Sequence, residues 1–295
     1  MTTPQPPMPQ AAQAAPPAWQ QAPGAPYPTY TSPIPIVRTH LGHALASEWT
    51  KIRSVRSTLW TLGVFVVLVV GIGLLAGVIV ADATSGESDY SDGTALSLGF
   101  FGLLLGSMCV MTLGVLTTAS EYGTGMIRTT ATACPSRVRV LAAKSIVFFT
   151  VAFVVTLAAV SFVAVVQVGL VDAAHAPTTA EWFKGTVGVS LYIALLGLLS
   201  LLMGSIVRHS AGAITIMIGA VLAPLVIALF MFSSSLEKVR TALFEYSIPN
   251  QLAVFYSTSL SDSGGPSGWD PLWIMIGVTA LAFGGAWALL ESRDV

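Results

Sequence analysis

Residues 119–144 read ASEYGTGMIRTTATACPSRVRVLAAK, a polar segment between two long apolar runs. It has one acid, Glu121, against Arg128, Arg137, Arg139 and Lys144. A net-basic stretch of this kind has no place in hydrocarbon, so it lies on one face of a membrane. The excess of bases predicts that this face is the cytoplasm. Every other orientation in the chain follows from it by alternation.

Composition agrees. The chain has 295 residues, 54% hydrophobic and only 9% charged, against about 25% charged in ordinary soluble domains. The predicted fold class is all-α: a polytopic membrane protein with six transmembrane helices, an N-terminal interfacial amphipathic helix and both termini cytoplasmic. A net charge of −1 points to neither nucleic acid nor an acidic partner. Cys109 and Cys134 are too few and too differently placed for a disulfide framework.

Upstream, residues 1–36 hold 11 of the 17 prolines and no charge, which predicts a disordered cytoplasmic tail without a core. It lacks the basic and apolar regions of a signal peptide. In residues 37–58, VRTHLGHALASEWTKIRSVRST, the positions Leu41, Leu45, Trp49, Ile52 and Val55 are spaced three or four apart. That spacing predicts an amphipathic helix along the cytoplasmic interface, with Trp49, Lys51, Arg53 and Arg56 as anchoring residues. Glu48 and Arg56 intrude near the edges of its apolar face. His40 and His43 have no third ligand nearby and read as solvated.

Downstream of that helix the predicted spans are 59–80, 95–118, 145–171, 186–207, 211–232 and 271–290. The first is 22 uncharged residues, about 33 Å of helix and enough to cross. Pro224 is expected to kink the fifth. The layout places 10 of 13 bases inside with 4 of 14 acids, leaving Lys184, Lys238 and Arg240 outside. Between the fifth and sixth spans, 247–260 (SIPNQLAVFYSTSL) is too short and polar to cross. It is read either as a lid at the outer face or as a plain interfacial helix.

Several chemistries lack their residues. The predicted spans hold no Asp, Glu, Lys, Arg or His, and Gln167 is their most polar side chain. That disfavours a proton- or ion-coupled carrier and a membrane protease. No lysine follows a glycine, so the phosphate-binding GxxxxGK[ST] motif is missing and any ATP must be hydrolysed by another chain.

The order of interfacial helix, six spans, basic loop and outer segment resembles ABC-2-type ABC transporter permeases of actinobacterial type. Ser47–Trp60, SEWTKIRSVRSTLW, is similar to their N-terminal segment. Residues 121–144 are similar to the loop after their second span, through Glu121, Gly125, Arg128 and Pro135. The resemblance implies a multi-pass permease of the cell membrane, an exporter, that is not itself an enzyme and binds no cofactor directly. Its partners would be an ATP-binding cassette subunit that uses the ATP, a second copy or paralogous permease, and membrane lipid. It also implies a coupling helix in the loop, involving Glu121, Tyr122, Gly125, Met126, Arg128 and Pro135. Ser120 and Glu121 are expected to start that helix and Pro135 to end it; simple capping by Glu121 is the alternative. Arg137, Arg139 and Lys144 read as membrane-rim anchors. The rival functional reading is a non-transporting membrane anchor or regulator acting through the same loop.

Overall fold

The computed structural model describes residues 40–84, 94–134, 136–171, 176–256 and 265–292. The tail 1–36, Pro135 and residues 257–260 of the outer segment lie outside them, as do Arg38 and Arg293. All regular secondary structure among the described residues is helical. Six helices are long and apolar enough to cross a membrane, so the chain is a multi-pass membrane protein.

The first helix, α1 (Leu41–Ser54), ends where Val55 turns to extended geometry, φ −80° and ψ 112°. One residue later α2 (Arg56–Thr84) begins, so Arg56 opens the first long helix instead of closing α1. A 3-10 turn, Ala95–Gly99, leads into α3 (Phe100–Gly123). After a two-residue break comes the short α4 (Met126–Ala133), then α5 (Arg137–Leu170). The short α6 (Thr179–Phe183) runs through a π turn, Lys184–Gly188, into α7 (Val189–Val207). The helix α8 (Ser210–Leu229) continues past Pro224. Two short helices, α9 (Glu237–Glu245) and α10 (Ile248–Val254), precede α11 (Asp270–Ser292).

The helices exceed the predicted spans mainly at their charged ends. Excluding charge from hydrocarbon puts the start of the third span at 145, but α5 begins at Arg137. Lys144 is therefore about 10 Å along a helix at 1.5 Å per residue, not at a loop's end. Likewise α3 runs on through Glu121 to Gly123.

The centre of the bundle is the pair α3 and α7, which make the most extensive contact of any two helices. Glycines set their spacing. A Cβ at Gly114 of α3 would fall on the carbonyl oxygen of Gly197 in α7, and one at Gly204 would lie 2.8 Å from the carbonyl oxygen of Val115. Small residues let membrane helices approach backbone to backbone, where dispersion and polar contacts replace a hydrophobic drive. Leu103 and Val110 of α3, Ile193 and Leu201 of α7 and Phe148 of α5 are all buried. The other long helices, α2, α8 and α11, expose most of their apolar surface, as lipid-facing helices do. Gln167 of α5 donates to the carbonyl oxygen of Gly73 at 2.8 Å, joining α5 to α2 in the interior.

One end of the bundle is closed by α10. Its residues Pro249, Asn250, Gln251, Leu252 and Ala253 are buried. Its polar side chains are satisfied locally: Asn250 Nδ2 donates to Glu245 O and Gln251 Nε2 to Tyr246 O. Tyr192 of α7 donates to Gln251 Oε1 at 3.3 Å, and its ring lies 5.7 Å from that of Phe255. The described part of the outer segment is thus a short helix packed into protein, the setting in which such backbone is tolerated at membrane depth.

Candidate functional site

At the opposite end of the bundle α1, the end of α3, α4 and the start of α5 converge. The α3 helix stops because Gly123 and Gly125 flank Thr124, whose N–H and hydroxyl both donate to Ser120 O, at 3.0 and 2.9 Å. Gly125 takes φ +72°, a left-handed geometry natural to glycine, and Arg128 N then donates to Gly125 O to begin α4. The expected helix in the loop is present, but Ser120 and Glu121 do not start it. They lie in the last turn of α3, where the helix dipole disfavours an acid.

Glu121 is tolerated there because cations meet it. Lys51 Nζ of α1 and Lys144 Nζ of α5 approach its Oε1 at 2.9 and 2.8 Å. The same two ammonium groups hold Glu48 of α1: Lys51 at Oε1, 2.7 Å, and Lys144 at Oε2, 2.8 Å. Two acids and two bases so form a closed, neutral ring joining three helices. Glu48 is 2%, Lys144 3% and Glu121 4% exposed, which makes the ring a buried structure and not a surface network. Lys144 also donates to Thr117 O at 3.3 Å, using all three of its N–H groups. Glu121 Oε2 is buried without a hydrogen-bond partner among the described residues. Half-burial opposes the charge on Lys51, yet its hydrogen bonds to Glu48 and Glu121 outweigh that and raise its pKa above the ordinary 10.5.

The ring sets how α1 packs on the bundle. Leu45 and Ile52 are half-buried, but Leu41, Trp49 and Val55 from the same apolar stripe are exposed, as is Arg53. Glu48, at the stripe's edge, faces the bundle because its partners Glu121 and Lys144 are there. Lys144, read as a rim anchor, is an interior group for the same reason. A cavity of about 190 Å³ lies beside the ring, with Lys51, Thr58, Thr61, Thr117 and Ser120 in its walls. A smaller one of about 40 Å³ lies beneath α4, between Thr118, Tyr122, Ile127 and Ser205. Both exceed the room one water needs.

The remaining loop residues divide by position. Met126 and Arg128 are exposed on α4. Tyr122 is half-buried under Arg208, whose guanidinium carbon is 5.0 Å from the ring centroid. Arg137 Nη1 donates to Leu290 O, tying α5 to the end of α11. Lys51, Arg137, Lys144 and Arg208, all bases of predicted inner segments, are therefore gathered at one end of the bundle. Sequence reading missed the Arg208–Tyr122 contact and the role of Lys144. The signal available was the pairing of Glu48 and Glu121 with bases at the ends of apolar runs.

Arg208 caps α7 with φ 57°, a backbone cost of about 1–2 kcal/mol for any residue but glycine. Its position over Tyr122 returns about 0.5–1 kcal/mol. Arg208→Gly is expected to unfold within a few degrees of the parent protein, and Arg208→Ala below both, because alanine keeps the strain without the ring contact. Thermal unfolding in detergent checks the order, and an alanine variant as stable as the glycine one would contradict it.

A scan against protein-family models finds none that matches the chain, and a search of curated proteins finds no match. Among the described residues no group of three or more His, Cys, Asp or Glu is placed to hold a metal ion.

Proposed function

We propose that this chain is the membrane-spanning subunit of an ATP-driven ABC transporter, with α4 as the contact for a separate ATP-binding subunit. The observation that carries the reading is the placement of α4. It is a short helix set off by the Gly125 turn at one end of six membrane-length helices, with Met126 and Arg128 exposed. An exposed apolar side chain beside a cation, on a helix linked to two long helices, suits a partner that pushes on the membrane domain. Glu121 and Tyr122 serve this contact from behind: Glu121 through the ring, Tyr122 through Arg208.

In this reading the loop end faces the cytoplasm of the cell membrane, both termini are inside, and α1 lies in the lipid interface. Two copies, or one copy and a paralogue, form the working unit, which exports its substrate. The chain binds no cofactor and hydrolyses nothing itself.

The test is purification of the tagged protein from its native membrane with identification of bound chains. An ATP-binding subunit in about equal amount is expected. Met126→Asp with Arg128→Glu should remove it, lowering recovered ATPase activity at least about tenfold, a loss of about 1.4 kcal/mol of binding, without altering the elution of the membrane chain. A clean preparation without ATPase would favour the anchor or regulator instead.

A further inference from the structure

The charge ring joins α1 to the bundle, and its bonds are distributed unusually. Four ion pairs close it. Two of them cross from α1 to the bundle: Glu48–Lys144 and Lys51–Glu121, at 2.8 and 2.9 Å. The other two lie within a half: Glu48–Lys51 within α1 at 2.7 Å, and Glu121–Lys144 within the bundle at 2.8 Å. Each half is neutral and already bonded to itself.

We propose that α1 is a detachable strap, which lifts from α3 and α5 as a unit by splitting the ring into two neutral pairs. A buried ion pair resists opening because separation strands unpaired charge in a poor solvent. Here lifting α1 strands none. Glu48 leaves with Lys51, and Glu121 stays with Lys144. Three further features fit a strap. Val55, the single extended residue between α1 and α2, provides the hinge. The cavity of about 190 Å³ beside the ring gives water a way to the opening pairs. The apolar side chains Leu41, Trp49 and Val55 are exposed, so of the apolar stripe only the half-buried Leu45 and Ile52 are uncovered by detachment. The two crossing ion pairs are the charged part of the attachment. The inference concerns the membrane chain alone and stands whether or not an ATP-binding subunit is its partner.

Pairs of glutamine substitutions separate this device from a merely structural ring. Glu48→Gln/Lys51→Gln empties one half and leaves Glu121–Lys144, so nothing ionic holds α1 down. Glu48→Gln/Lys144→Gln removes the same number of charges but leaves Lys51–Glu121, a pair that crosses the joint and cannot part without stranding both charges. The reporter is a cysteine at Thr117, a half-buried cavity wall residue on α3, in full-length protein with Cys109 and Cys134 replaced by alanine. Its alkylation by a water-soluble maleimide in lipid nanodiscs is timed. The first variant should react about tenfold faster than the parent, equivalent to about 1.4 kcal/mol, and the second no faster. Equal rates for the two variants would overturn the proposal. If either fails to fold, Glu121→Gln/Lys144→Gln and Lys51→Gln/Glu121→Gln supply the same comparison, judged by the same rates.

Discussion

Lys144→Ala is expected to be the most damaging single substitution at the loop end. It removes one of two bases from a ring in which Glu48, Glu121 and Lys144 are each at most 4% exposed. Two carboxylates would then share Lys51, whose side chain is the most exposed in the ring at 28%. Removing one partner of a buried ion pair typically costs about 3–5 kcal/mol, since the charge left behind is neither solvated nor paired. Thermal unfolding in detergent should drop on the order of 10 °C or more, with a loss of monodisperse protein on size exclusion. Lys238→Ala, a fully surface change on α9, is the control and should stay within about 0.5 kcal/mol. A drop no larger than the control's would mean that water reaches the ring freely.

Gly114→Ala should disrupt the centre of the bundle. The added methyl lands on the carbonyl oxygen of Gly197, with Leu201 N and Ser200 Cβ both at 3.1 Å behind it. Backbone atoms of two buried helices cannot yield as a flexible side chain can, so α3 and α7 must part. Overpacking of this sort costs about 1–3 kcal/mol and occasionally more, and a backbone-on-backbone clash belongs at the upper end. Gly219→Ala on α8 is the matched comparison, since its Cβ would meet nothing within 4 Å; it should be neutral or gain about 0.5–1 kcal/mol. Unfolding temperatures of the two variants decide the matter, and equal values would contradict the tight α3–α7 contact.

Much of this architecture is written in local hydropathy. An uncharged run of 20 or so residues identifies a membrane-length helix without knowledge of its neighbours, and so the six long helices and the break between the second and third were legible. The helix ends were less so. A rule that stops a span at its first charge must place Lys144 outside, because the partner that makes it tolerable, Glu48, is 96 residues away. The same blindness applies to α1. Spacing picks out its apolar stripe but cannot show that the end of α3 offers an acid to its inner face. In α10 the polar residues argued for a surface position, whereas Asn250 and Gln251 are satisfied by the carbonyls just before them. Hydrogen bonding, not hydropathy, decided that burial. The exposed α4 residues were found by resemblance, and the geometry added the separation between Met126 and Arg128 outside and Glu121 within.

The neutrality of the α1 half has a consequence for how the chain is made. Glu48 and Lys51 leave the ribosome long before Lys144, 96 residues after Glu48, which at about 5–20 residues per second is a wait of roughly 5–20 s. Until Glu121 of α3 is made, the internal Glu48–Lys51 pair keeps α1 from presenting an unbalanced charge at the membrane. The ring closes only once α5 is in place. The first of the described helices is thus locked into the ring only when the third long helix has arrived.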